Sequence, residues 1–101
     1  MRRITVEELA STLHRVLIDV REPDEYASAH VPGAINIPLG QLRSRVSEVP
    51  SAPEVHVICQ SGRRSAQATE VLTAEGVRAI NVDGGTTAWI QAGLPTEMHQ
   101  A

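Results

Sequence analysis

A chain of 101 residues, 42% apolar and 21% charged, is long enough for one core, and its formal charge of −3 lacks the basic face that nucleic-acid binding needs. One cysteine excludes any disulfide within the chain, and with it a disulfide-stapled secreted scaffold. No window approaches the roughly 18 apolar residues of a membrane span, and Met1-Arg2-Arg3 is not followed by the apolar run of a signal peptide, so the expectation is a cytoplasmic chain without membrane contact.

Ile4 suggests a very short first strand. Thr5 and Glu8 have capping-box spacing, and Leu9 and Leu13 continue an apolar face, so a helix is predicted from about Val6 to Leu13. Val16 to Val20 reads as a buried strand, broken by Asp19 near its carboxyl end and followed by Arg21 and Glu22. Ligand crevices of open parallel sheets lie at such ends. Asp19 and Arg21 suit a buried ion pair, which is compatible with supporting a site. Pro23 fits the first position of a short helix to about Ala29, and His30-Val31-Pro32-Gly33 ends it in a turn.

Ala34 to Ile37 is the next strand, stopped by Pro38. Leu39, Leu42, Val46 and Val49 recur at three- and four-residue spacing, which predicts a helix from Leu39 to about Val49. Val55 to Ile58 is a strand leading to Cys59. A helix from about Arg64 to Glu75 follows, with Ala68, Val71 and Leu72 as its face and Gly76 as its stop. Ala79 to Val82 is the last strand, and Thr86 to Gln91 makes a closing helix before Gly93-Leu94-Pro95. Strands alternating with helices predict an α/β sandwich with a mostly parallel sheet. With no Phe, one Tyr and one Trp, its core must come from Val, Ile, Leu and Ala. One domain is expected over 1–101, with a core of about 4–95 and a loose polar tail over 96–101.

The informative stretch is Cys59-Gln60-Ser61-Gly62-Arg63-Arg64-Ser65. A lone cysteine is most simply a small buried hydrophobe. This one lies between a strand and a helix, where unpaired N–H groups and the helix dipole favour an anion and lower a thiol pKa. Gly62 permits a positive φ, so the loop can curl into a nest of N–H groups. Ser61 and Ser65 add hydroxyls, and Arg63 or Arg64 can hold an oxyanion. The expected chemistry is attack by a Cys59 thiolate on a sulfane sulfur, giving a persulfide that a second thiophile relieves. An exposed thiolate with no resolving cysteine would also be sensitive to peroxide.

Four separated motifs give the chain a family likeness. They are Leu17-Ile18-Asp19-Val20-Arg21-Glu22 with Glu25-Tyr26, His30 to Pro38, the Cys59 to Ser65 loop, and Gly84-Gly85 with Ala88-Trp89 and Gly93-Leu94-Pro95. From Thr5 to Pro95 the chain resembles the single-domain rhodanese-type sulfurtransferases. The resemblance implies a three-layer α/β sandwich, with a five-stranded, mostly parallel sheet and helices on both faces. It implies a persulfide on Cys59, binding of the donor anion by the backbone N–H groups of Gln60, Ser61, Gly62, Arg63 and Arg64, beside the hydroxyl of Ser65 already noted, and supporting roles for Asp19 and Arg21. Trp89 and His30 would be structural. The partners would be a small sulfur-donor anion and a cyanide or thiol acceptor, with a protein donor or acceptor also open; no cofactor, metal, nucleic acid or membrane is called for.

Two alternatives stand beside this. Phosphatases and arsenate reductases of the same fold have an arginine after Cys and five residues; that place here is Ser65, and the arginines come one and two positions early. Rhodanese-like domains also occur as non-catalytic modules, often without the cysteine.

Overall fold

The structure is a computed structural model that describes residues 1–98. Its elements are β1 (Arg3–Ile4), α1 (Val6–Ala10), β2 (Val16–Asp19), α2 (Pro23–Ser28), β3 (Ile35–Asn36), β4 (Val55–Ile58), α3 (Arg63–Ala74), β5 (Ala79–Val82) and α4 (Gly85–Gln91). The five strands form one sheet in the order β1-β5-β4-β2-β3, parallel at every pairing. β4 is therefore the central strand, and all its residues are buried.

Alternate residues of each strand serve opposite faces. Ile18, Val55, Val57 and Ala79 pack with Ala68 and Leu72 of α3. Leu17, Ile58 and Val82 pack on the other face with Val6 and Leu9 of α1 and Trp89 of α4. Each fully buried Leu or Ile contributes about 1.5–3 kcal/mol. Helices thus cover both faces, as the family resemblance implies.

Two expectations are corrected. First, the helix predicted to Leu13 stops at Ala10, and Leu13 is 80% exposed. The Ser11 and Thr12 hydroxyls donate back to the Glu8 carbonyl at 3.0 and 2.8 Å, an alternative to continuing the ladder.

Second, the helix predicted over Leu39 to Val49 is two 3-10 turns, Leu39–Gln41 and Val46–Glu48. The spacing contains the reason. Leu39 to Leu42 and Val46 to Val49 are each i,i+3, the period of a 3-10 turn, and the four-residue step falls at the break. The Leu42 and Val49 amides donate to the Leu39 and Val46 carbonyls at 3.2 and 3.1 Å. All four apolar residues still reach the α3-side core.

Of the tail expected over 96–101, the structure describes 96–98, all of them exposed. Glu97 exchanges two 2.9 Å backbone hydrogen bonds with His30. The rest of the predicted tail, 99–101, lies outside the described residues. His30 is 5% exposed, stacks on Tyr26 at 3.8 Å and donates from Nδ1 to the Tyr26 carbonyl at 2.8 Å. Trp89 is buried and donates to the Pro95 carbonyl at 2.7 Å.

His56 on β4 is 4% exposed, and its Nδ1 has no hydrogen-bond partner among the described residues. Burial pushes its pKa down, against an upward pull from Glu54. An unfolded His binds its proton near 6.5, so this depressed site loses stability as pH falls below that value. Tm should decline through mildly acid pH. His56→Gln should flatten that limb, and an unchanged slope would show that other groups cause it.

Candidate active site

The chemistry-bearing residues collect at the carboxyl edge of the sheet. Cys59 follows the last residue of β4, and Asp19 ends the neighbouring β2. The chain then turns through Gly62, whose φ of +108° only glycine adopts without strain, into α3. That turn folds the loop back on the sulfur. The Gly62 N–H donates to Cys59 Sγ at 3.0 Å, and the Ser65 hydroxyl lies 3.3 Å from it.

Burial pushes the Cys59 pKa up. The Ser65 hydroxyl and the backbone N–H groups of Ser65, Gly62 and Ser61 push it down and win, so the net pKa is lowered. Cys59 is nevertheless only 1% exposed. The exposed thiolate expected from sequence is corrected: the sulfur sits at the base of its cradle, and slow attack by peroxide is the expectation that replaces it. A surface recess of about 870 Å³ elsewhere, lined by Arg2, Thr73, Val77 and Arg78 among others, shares no lining residue with this loop.

The cradle is held from outside by α4. The Thr86 and Thr87 amides donate to the Cys59 and Gln60 carbonyls at 2.9 and 3.0 Å, and the Thr86 hydroxyl adds a 3.0 Å bond to the Cys59 carbonyl. Drawing these carbonyls outward leaves the following N–H groups to face the sulfur. Gly85 makes the approach possible. A Cβ there would lie 2.6 Å from the Cys59 and Gln60 carbonyl oxygens, at a φ of +59°. Gly85→Ala should therefore cost about 2–3 kcal/mol, lowering Tm by about 10–20 °C. Gly76→Ala is the control: its φ is +85°, but nothing lies within 4 Å, so strain alone should cost about 1 kcal/mol. Equal losses in the two variants would remove the close-approach argument.

The other loop side chains divide sharply. Gln60 does not face outward as a free ligand group. Its Oε1 accepts from Arg21 Nη1 at 3.1 Å, and its Nε2 donates to Thr87 Oγ1 at 2.7 Å. Arg64 is paired with Glu25 through two bonds, Nη1 to Oε1 at 2.7 Å and Nη2 to Oε2 at 2.9 Å. Ser61 and Arg63 are exposed, and among the described residues Arg63 has no ion-pair partner.

Asp19 and Arg21 form a buried pair, with side chains 0% and 3% exposed. Arg21 reaches Asp19 from Nη2 at 2.9 Å and from Nε at 3.1 and 3.2 Å. Its Nη2 also donates to the Ala29 carbonyl at 2.7 Å. Asn36 Nδ2 ties this corner to β3 through the Asp19 and Arg21 carbonyls, both at 3.0 Å. The sequence reading assigned no role to Glu25, Gly85, Thr86 or Thr87. Glu25 and Gly85 stood inside the quoted motifs; the threonines carried no signal, because only the fold brings α4 to the loop.

A parallel α/β sheet with one thiol in a nest of N–H groups at its central carboxyl edge defines a cysteine-loop domain. Within that class, the chain belongs to the Rhodanese-like domain family, which matches residues 5–92. A protein named Sulfurtransferase from Allochromatium vinosum is 39% identical over 90 residues, 88% of this chain and 84% of its own length. YrkF of Bacillus subtilis, provisionally named a sulfur carrier protein, is 42% identical over 74 residues, 72% of this chain; the match spans only 40% of that relative. The crystal structure of a rhodanese-related protein from Thermoplasma volcanium has a TM-score of 0.92 and 33% identity, over 98% of this chain and 100% of that one.

Proposed function

We propose that this domain is a sulfurtransferase that carries a sulfane sulfur as a persulfide on Cys59, passing it from a donor to a thiophilic acceptor. One observation carries the reading: the Cys59 sulfur receives the Gly62 N–H at 3.0 Å, within a cradle that lowers its pKa despite burial. A stabilised thiolate needs no histidine base. It attacks the donor's sulfane sulfur, and the donor's remainder leaves with the electron pair of the broken S–S bond. The acceptor then attacks the outer sulfur and restores the thiolate, which is ping-pong exchange.

Backbone N–H groups of Ser61, Gly62 and Ser65 hold the sulfur's charge, and exposed Arg63 recruits an anionic donor. Asp19 and Arg21 support the loop through Gln60. No metal or other cofactor is required by this exchange. A reducing compartment such as the cytoplasm suits it, because a lone thiol stays reduced there and acceptor thiols are abundant.

Intact mass tests the proposal. After incubation with thiosulfate in large excess, the protein should gain one sulfur atom and lose it on adding cyanide or dithiothreitol. No gain from thiosulfate or from a small persulfide would overturn it.

A further inference from the structure

We propose that Glu25 is a specificity-determining residue: by pinning Arg64 it withholds that cation from dianionic donors, and it suits the loop to donors carrying one negative charge or none, such as the persulfide of a small thiol. The inference rests on the sulfur-transfer reading and names its donor class.

Three arginines lie at or beside the loop, and their commitments differ. Arg21 is buried and saturated by Asp19, Ala29 and Gln60. Arg64 gives a two-bond fork to Glu25. Of these three, only Arg63 is exposed without an ion-pair partner among the described residues. With Asp19 offset by Arg21 and Glu25 by Arg64, Arg63 is the one loop arginine left uncommitted for an anionic donor.

The Glu25–Arg64 pair is more than two flexible side chains meeting in solvent. Glu25 lies in the first turn of α2, and its Oε1 also accepts the Glu22 N–H at 3.0 Å. The carboxylate is thus fixed at the helix start before the arginine arrives. The hydrogen bond from Arg64 is the largest influence holding the Glu25 carboxyl down at about 2, so it is charged wherever the thiolate exists. Arg64 in turn is raised, chiefly by its hydrogen bond to Glu25, and it stands in the first turn of α3 beside Ser65, whose hydroxyl lies 3.3 Å from the sulfur. Freed from Glu25, it would be the cation available to a sulfonate.

The donor half-reaction balances for both donor types. The Cys59 thiolate bonds to the donor's outer sulfur and the donor's S–S bond breaks. The electron pair leaves on sulfite from thiosulfate, or on R–S⁻ from a persulfide R–S–SH, and Cys59 keeps the sulfur as a persulfide. No outside oxidant or reductant enters.

Glu25→Gln is the informative variant, because Gln still accepts the Glu22 N–H but carries no charge. Steady-state constants would be measured for thiosulfate and for cysteine persulfide in wild type, Glu25→Gln, Arg64→Ala and the double variant. Glu25→Gln should lower KM for thiosulfate by about fivefold to tenfold and change KM for cysteine persulfide by less than about twofold. The double variant should lose the gain, because the unmasked cation is gone. An unchanged ratio of the two KM values, or a raised KM for thiosulfate, overturns the inference, and so does a fall in Tm with the ratio unmoved. Persulfide formation on Cys59 with an unmoved ratio sinks only this inference. Absence of any Cys59 persulfide from either donor sinks the functional reading with it.

Discussion

Replacing Cys59 by Ser should abolish sulfur uptake while leaving the fold in place. A hydroxyl is a poor nucleophile at neutral pH, and no side chain among the loop's hydrogen bonds to the sulfur is a base that could activate it. The expected loss of transfer rate is on the order of a thousandfold or more. The substitution is small, and Ser can still meet the Gly62 N–H and the Ser65 hydroxyl, so stability should change by only about 1 kcal/mol. Two measurements decide it: intact mass after donor treatment, which should show no added sulfur, and a thermal melt close to wild type. Transfer at anything near the wild-type rate would remove Cys59 from the mechanism.

The largest effect on stability is expected at Asp19. Asp19→Ala strands the Arg21 guanidinium, whose side chain is 3% exposed, without its carboxylate. Removing one partner of a buried pair costs about 3–5 kcal/mol. For a chain of this size that is a fall in Tm of at least about 12 °C, and it consumes much of the stability a small domain has. The control is the joint replacement Asp19→Leu with Arg21→Met, which leaves no orphan charge and should recover most of the loss. If the double variant melts as low as Asp19→Ala, then the hydrogen bonds to Ala29 and Gln60, rather than the charge pair, hold this corner. Recovered stability without recovered sulfur transfer would separate the pair's two roles, since Arg21 also holds Gln60 of the loop.

The strands and the nucleophile loop were legible because their signals are local. Val16 to Asp19, Val55 to Ile58 and Ala79 to Val82 are apolar runs, and each is a strand within one residue of its predicted bounds. Gly62 announced the positive φ that closes the cradle. The stretch after Pro38 misled because an i,i+3 repeat belongs equally to a 3-10 turn, and only the position of the four-residue step separates the two. Arg64 shows the limit most clearly. Its sequence position marks it as a ligand for anions, but its partner is Glu25, 39 residues earlier, and that meeting exists only once α2 and α3 are packed. The depth of the sulfur in this loop was equally hard to foresee, since α4, which closes on the Cys59 carbonyl through Thr86, is 27 residues away in sequence.

That depth has a chemical consequence. At 1% exposure the bare thiol is almost hidden, whereas a sulfur added to it would stand about 2 Å further out along the S–S bond. On the proposed exchange, the unloaded form would admit only a slim donor to its covered thiol, and the persulfide form would present its outer sulfur more openly. Alkylating reagents should label the loaded form faster than the unloaded one, a reversal of what an open cysteine would show. On that reading, an acceptor would meet the transferable sulfur in preference to the bare thiol.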